Sequence, residues 1–254
     1  MMTQSKIALV TGGSRGLGKD MALNLAKKGL DVVLTYNTNK EEAETVVEAI
    51  KKIGQNATSL QLNVLEISGY DTFIDTLIAT IKSNFNSEKI DFLINNAGFI
   101  HYINFGNVSE QQFNEMLEIH LKGPFFLTQK VLNVLNNHGG IVNVSSGLTR
   151  FATPGFATYA AMKGAMETLT KYQAKELGER RIRVNIVAPG AIETDIMGGA
   201  VRDNAEMNEY LASQTALGRV GLPDDIGGVV AFLCTNEAGW INAQRIEISG
   251  GSYL

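Results

Sequence analysis

Short, apolar, mostly β-branched runs punctuate the chain at residues 7–10, 32–34, 59–62, 92–94, 141–144, 184–187 and 246–248. They are brief and several are uninterrupted, as expected of strands in a parallel sheet covered on both faces. Between them apolar residues recur at helical spacing. Residues 41–53 put Ala43, Val46, Val47, Ile50 and Ile53 on one face, and residues 70–85 do the same with Phe73, Ile74, Leu77, Ile78 and Ile81. Longer helical patterns cover 113–135 and 157–177, and another over 224–234 starts behind Leu222-Pro223. Gly123-Pro124, in the middle of the 113–135 pattern, is expected to bend or break it.

Strands alternating with helices imply a parallel sheet with right-handed crossovers. The expected fold class is α/β: a single doubly wound Rossmann domain over residues 1–254, with a seven-stranded, mostly parallel sheet and helices on both faces. Ligands on such sheets bind beyond the carboxyl ends of the strands. There the first strand runs into Thr11-Gly12-Gly13-Ser14-Arg15-Gly16-Leu17-Gly18, followed by a helical pattern through Ala22, Leu25 and Ala26. Glycine at 12, 16 and 18 removes the Cβ atoms that would keep an anion from the backbone. A helix starting here aims free N–H groups and its positive dipole end at the same spot, which suits a pyrophosphate. The spacing is G-x-x-x-G-x-G rather than the G-x-G-x-x-G fingerprint.

Composition narrows the function. The chain has 254 residues, 44% of them hydrophobic, enough for one sizeable core. A net charge of −4 offers no basic field for a nucleic acid. The one cysteine, Cys234, excludes an internal disulfide, fits a reducing compartment and lies in an apolar helical pattern as a small buried hydrophobe. Met1-Met2-Thr3-Gln4-Ser5-Lys6 lacks the apolar stretch of a signal peptide, and no apolar run is long enough to cross a bilayer. A cytoplasmic protein is expected, with no membrane partner and no metal site.

Three polar residues fall where chemistry belongs. Ser146 follows the 141–144 strand, and Tyr159 and Lys163 lie four apart near the start of the 157–177 helix, on one face of it. A free phenol, with a pKa of about 10, is a poor acid–base group at neutral pH. An ammonium beside it favours the phenolate and is expected to lower that value. With Ser146 bonding a carbonyl oxygen, the set would protonate that oxygen as hydride reaches the carbon, or run the reverse.

In these motifs, Thr11-Gly12-x-x-x-Gly16-x-Gly18, Asn95-Asn96-Ala97-Gly98, Ser146, Tyr159-x-x-x-Lys163 and Pro189-Gly190 followed by Thr194, the chain resembles the short-chain dehydrogenase/reductase family over nearly its whole length. It looks closest to carbonyl reductases related to 3-oxoacyl carrier-protein reductases. The resemblance implies that Tyr159 is the general acid–base, that Lys163 holds the nicotinamide ribose and that Ser146 positions the substrate oxygen. It implies that Asn95, Ala97 and Gly98 line the adenosine side, braced by Thr11. Pro189, Gly190, Ile192 and Thr194 would cradle the nicotinamide. Asn63, before Val64, stands where the family commonly has aspartate and can still bond an adenine amino group. His120 replaces a family asparagine whose side chain supports a water-linked proton path from the lysine. Histidine can donate, accept and ionise near neutrality, so His120 is expected to take over that relay.

An acidic residue after the second strand would select NAD. Here Tyr36-Asn37-Thr38-Asn39-Lys40 carries no carboxylate before Glu41. Arg15 in the Gly-rich turn is placed to meet a 2′-phosphate through its fork of donors, with Asn37 and Thr38 adding neutral bonds. NADP(H) is the expected cofactor, held by Gly12, Ser14, Arg15, Gly16, Leu17, Gly18, Tyr36, Asn37, Thr38, Asn63 and Val64 besides the residues above. Residues 195–214 read as a lid, opening on Met197-Gly198-Gly199-Ala200. Pocket walls are expected from Ile100, His101, Tyr102, Phe151 and Phe156, which suit a hydrophobic carbonyl or alcohol substrate. The resemblance also implies a homo-oligomer, dimer or tetramer, paired through the two long helices, which carry Leu117, Phe125 and Leu169. Two alternatives stand beside this reading. A 3-oxoacyl-thioester reductase would want a basic patch for its carrier protein, with Lys122, Lys130, Lys171 and Lys175 as candidates. A nucleotide-sensing protein would use the fold without chemistry.

Overall fold

The computed structural model describes residues 5–254, so most of the N-terminal stretch read for a signal peptide lies outside the described residues. Seven strands form one sheet: β1 (Ile7–Val10), β2 (Asp31–Tyr36), β3 (Ala57–Gln61), β4 (Ile90–Asn95), β5 (Leu135–Val144), β6 (Arg183–Pro189) and β7 (Arg245–Ile248). Their spatial order is β3-β2-β1-β4-β5-β6-β7, and every neighbouring pair is parallel. Around them lie α1 (Gly16–Lys27), α2 (Lys40–Ile53), α3 (Tyr70–Phe85), α4 (Glu110–Leu117), α5 (Gly123–Val131), α6 (Ala157–Glu176), α7 (Ala200–Asp203), α8 (Ala205–Ser213) and α9 (Pro223–Leu233).

The continuous apolar character of the strands has the expected cause. Along β1, Ala8 and Val10 enter a core built with α1, α2 and α9, while Ile7 and Leu9 enter a second core built with α3, α5 and α6. Alternate side chains leave opposite faces of a strand, so both must be apolar when both faces are covered. Each fully buried Leu or Ile of this kind contributes about 2 kcal/mol of transfer free energy. The strand order reverses between β2-β1 and β1-β4. The crevice at that switch, beyond the strands' carboxyl ends, is where such sheets take ligands.

The 113–135 pattern resolves differently from a simple proline break. α4 starts at a capping box, Ser109 with Gln112. A π-turn follows at Glu118–Lys122, in which the Gly123 N–H reaches back five residues to the Glu118 carbonyl, and α5 then begins. The widened turn leaves Pro124 in the first turn of α5, where a missing N–H costs nothing. The chain continues past the proline, and the irregularity sits just before it, at His120. The helix also stops at Val131. Leu135 already pairs with Ile90 of β4, so sheet pairing overrides the helical spacing there.

Candidate active site

The turn after β1 is held by residues from two neighbouring strands. Thr11 Oγ1 donates to the Ile94 carbonyl (3.2 Å) and accepts from the N–H groups of Asn96 (2.9 Å) and Ala97 (3.0 Å). The Asn96 amide returns the contact, donating to the carbonyls of Thr11 and Gly12. On the β2 side, Thr35 takes the Gly12 N–H on its hydroxyl (3.1 Å) and the Gly13 N–H on its carbonyl (2.8 Å). Gly18 is packed so closely that a Cβ there would stand 2.1 Å from the Gly12 carbonyl oxygen. The helix start thus lies directly against the turn, with α1's first N–H groups opening on the crevice. Thr35 and Asn96 escaped the sequence reading. Thr35 lies just past the apolar run 32–34 and carries no motif, and Asn96 was named only as part of the Asn95-Asn96-Ala97-Gly98 motif, without a role.

Across the crevice, Gly190 donates to Ile248 O (3.0 Å), Ile192 bridges to Gly221, and the Thr194 hydroxyl accepts from Ile196 N (3.3 Å). A Cβ on Gly16 would meet Thr194 at 3.8 Å, so the Gly-rich turn and the segment after β6 face one another. A glycine cradle, free N–H groups and a crevice between two post-strand loops fit a dinucleotide. Leu17 packs on the core beneath, and Ser14 is half-buried in the turn. Arg15 is exposed, and its side chain has no hydrogen-bond or ion-pair partner among the described residues. Tyr36 is half-buried, and Asn37 and Thr38 are exposed beyond β2, where Asn39 caps α2 by accepting from Glu42 N. Asn63 accepts from Leu65 N (3.1 Å), and the Val64 carbonyl accepts from the Tyr70 hydroxyl (2.7 Å). Asn95 turns its side chain into the interior, where its amide donates to Thr128 and Asn143 and its Oδ1 is buried without a partner.

Tyr159, Lys163 and Ser146 do come together at the carboxyl end of β5. The Tyr159 ring is buried against Met116, Ile119 and Met162, and its hydroxyl lies near enough to Ser146 for that side chain to lower its proton affinity. Ser146 Oγ also accepts from Leu148 N (3.2 Å) at the start of the 3₁₀ turn Gly147–Thr149. Lys163 is buried, donates to the Val144 carbonyl (2.7 Å) and stands 5.5 Å from the Tyr159 ring centroid. The expected lowering of the phenol does not appear. Burial pushes Tyr159 up to about 12, with Ser146 pulling the other way, and burial pushes Lys163 down to about 7. Removal from water disfavours phenolate and ammonium alike, and it is the leading cause of both shifts. Near neutral pH the phenol keeps its proton.

His120 lies in the π-turn with its ring edge-on to Tyr159, centroids 4.9 Å apart at 84°. Its ring lies over Gly98, where a Cβ would stand 2.6 Å from Cε1. Nε2 is 2.6 Å from the Phe99 carbonyl, which fixes the proton on that nitrogen, and Nδ1 is buried without a partner. Burial and the charge of Lys163 hold the imidazole well below its ordinary range, against the pull of Phe99. The expectation that it ionises near neutrality is therefore corrected: it is a neutral ring with one open acceptor.

The expected pocket-wall residues make separate contacts of their own. Tyr102 packs on Phe156 (5.2 Å), and Phe151 packs on Tyr253 (4.3 Å), an aromatic the sequence reading missed. His101 faces Glu115 at 2.7 Å. No described helix is long and apolar enough to cross a membrane.

A parallel sheet with a glycine cradle at its switch point and a Ser–Tyr–Lys set beside it defines a dinucleotide-dependent oxidoreductase. The family model described as Enoyl-(Acyl carrier protein) reductase matches residues 12–253. The chain is 38% identical to the 3-oxoacyl-acyl-carrier-protein reductase of Staphylococcus aureus over the full length of both. It is 34% identical to the tetrahydroxynaphthalene reductase of Pyricularia oryzae, covering 99% of this chain and 90% of that one. The solved structure of the angucycline C-6 ketoreductase LanV with bound NADP superposes with a TM-score of 0.93 at 37% identity, covering 98% of this chain and 96% of that one. The chain belongs to the short-chain dehydrogenase/reductase family and is an oxidoreductase of that family.

Proposed function

We propose that this protein is an NADP(H)-dependent carbonyl reductase in which Tyr159 passes the proton. The observation that carries the reading is the buried Tyr159, beside Ser146 and backed by Lys163, next to a crevice that fits a dinucleotide. LanV, similar over nearly the whole chain, holds NADP, and the free Arg15 supports the same cofactor here. Bound NADPH supplies the hydride. The Ser146 hydroxyl holds the substrate oxygen, and the Tyr159 hydroxyl donates its proton to that oxygen as negative charge builds on it. Lys163 and Thr194 hold the nicotinamide end. Gly12, Gly16 and Gly18 hold the pyrophosphate, with Asn63, Val64, Ala97 and Gly98 toward the adenine. Because burial keeps the phenol protonated, the site is set for reduction; oxidation needs the scarcer phenolate. The test is NADPH oxidation with a panel of ketones and aldehydes. No turnover across the panel would remove the reading.

The walls favour a bulky aromatic ketone. In each of two ring pairs, Tyr102 with Phe156 and Phe151 with Tyr253, one ring comes from the segment between Ser146 and Tyr159 in the chain, and two of the similar proteins are named for polycyclic aromatic substrates. The likeness to the S. aureus enzyme supports a second substrate class, 3-oxoacyl thioesters on a carrier protein. Against it, two of the four candidate docking lysines are neutralised, Lys122 by Glu118 and Lys130 by Asp71. Residues 195–214 serve as the lid in this reading. Met197, Gly198 and Gly199 all have positive φ there, and no residue of α8 is buried. The lone, buried Cys234 fits a cytoplasmic location.

His120 acts as the neutral acceptor of the proton path, through Nδ1. His120→Leu is expected to lower kcat about tenfold, the effect of one lost buried hydrogen bond to a reacting network. His120→Asn should restore most of it by returning a polar group. Unchanged turnover of the Leu variant from acid to alkaline pH would remove His120 from the mechanism.

Copies of the chain pair through α4, α5 and α6. An open apolar groove of about 600 Å³ between them is lined by Leu117, Leu121, Phe125, Phe126, Leu169 and Tyr172. Sedimentation is expected to show a dimer or tetramer that Leu169→Glu shifts toward monomer. A wild-type monomer at micromolar concentration would exclude the pairing.

A further inference from the structure

Tyr159, Lys163 and Glu167 follow one another at four-residue spacing on α6 and so share one helix face. The first two belong to the site above; Glu167 does not touch it. One of its oxygens, Oε1, takes contacts from three directions: Ser145 Oγ at 2.6 Å, Thr149 Oγ1 at 2.6 Å and Arg245 Nε at 2.7 Å. Ser145 and Thr149 flank Ser146, one on each side of the residue beside the phenol. Arg245, from β7, closes the ring. Its second terminal nitrogen donates to the Ser146 carbonyl (3.3 Å) and to Thr149 Oγ1 (3.1 Å), and its first is held by Glu247 at 2.6 Å.

The connection has a direct geometric meaning. Ser146 reaches Tyr159 only if the turn Gly147–Thr149 is held at a set distance from α6. Without Glu167, Ser145 and Thr149 lose the acceptor that ties both flanks of the turn to that helix. The Arg245 guanidinium would then be left part-buried without its Glu167 partner, an arrangement that costs more than an exposed ion pair. Burial works against the Glu167 carboxylate, but the bonds from Ser145, Thr149 and Arg245 together hold it below the usual range, so it stays charged throughout neutral pH.

We propose that Glu167 and Arg245 are positioning residues that lock the Ser146 turn onto helix α6 and thereby set the distance between Ser146 and the Tyr159 hydroxyl. This rests on the reading of Tyr159 and Ser146 as the acid–base pair. The pair acts through Ser146, and none of its hydrogen bonds among the described residues goes to the glycine cradle, so it governs the chemical step and leaves cofactor binding alone.

The test uses Glu167→Leu, Glu167→Gln and Arg245→Met in the full chain, with wild type alongside. Glu167→Leu is expected to lower kcat about tenfold while the KM and binding of NADPH stay within about twofold. Glu167→Gln keeps an acceptor oxygen for Ser145 and Thr149 and should recover about half of that loss on a logarithmic scale. Arg245→Met added to Glu167→Leu should cost little more than either alone, because both act through one connection. Hydrogen exchange at the amides of residues 146–150 should quicken about tenfold in Glu167→Leu and stay unchanged at the turn after β1. Wild-type kcat and unchanged exchange in Glu167→Leu would overturn the proposal, as would a loss of kcat that tracks loss of NADPH binding. If Glu167→Leu does not fold, the Gln and Met variants give the same readings. A wild type without carbonyl turnover would overturn the enzyme reading instead, and the exchange measurement would still decide whether Glu167 holds the turn.

Discussion

Tyr159→Phe is expected to lower kcat for carbonyl reduction about a thousandfold, within the range that a placed proton donor contributes. The substitution removes one oxygen and leaves the ring in its pocket, edge-on to His120 and packed against Met116, Ile119 and Met162. NADPH binding should stay within about twofold, because the glycine cradle and the segment after β6 are untouched; a loss confined to kcat marks an interaction made only in the transition state. The direction of the pH dependence follows from burial. The phenol is pushed up to about 12, so its acid form persists through neutral pH and supplies the proton for reduction. Alcohol oxidation needs the phenolate and should climb as pH rises, in wild type but not in the Phe variant. Steady-state rates in both directions across pH measure this. A Phe variant with wild-type reduction rates would end the role assigned to Tyr159.

Arg15→Ala is expected to raise the KM for NADPH about tenfold and that for NADH less than twofold. A guanidinium–phosphate contact is charge-assisted, worth about 1.5–3 kcal/mol. Arg15 is exposed, so solvent and salt reduce it toward the lower end, and each 1.36 kcal/mol is about tenfold in binding. Among the described residues no group bonds to the side chain, so its removal is expected to leave the fold alone. The discrimination should shrink as ionic strength rises. Equal rises for the two cofactors would show that Arg15 does not read the 2′-phosphate and would move the choice to Asn37 and Thr38.

Much of this site is written locally. Thr11 to Gly18, and Tyr159 with Lys163, are recognisable because each set acts over a few residues, where backbone conformation and helix periodicity alone decide which groups meet. Asn95 shows where such reading thins. It belongs to a motif that reads as cofactor-facing, yet its side chain turns inward to Thr128 and Asn143, 33 and 48 residues away. Pro124 shows the same for backbone. Its presence announced an irregularity, but a π-turn before it, not a break at it, resolved the strain.

The amino-acid pattern by itself determined the parallel sheet, its covered faces, the glycine turn at the end of β1 and the helical spacing of Tyr159 and Lys163. Periods of two and 3.6 and the lack of Cβ atoms are properties of neighbouring residues. Only the tertiary structure decided the charge states: a protonated Tyr159, a weakened Lys163 ammonium and a neutral His120. It alone brought Arg245 to Glu167 across 78 residues of chain. Proton affinity depends on how much water every surrounding element removes and on which charges they bring near. That sum is taken over space, and no run of adjacent residues contains it.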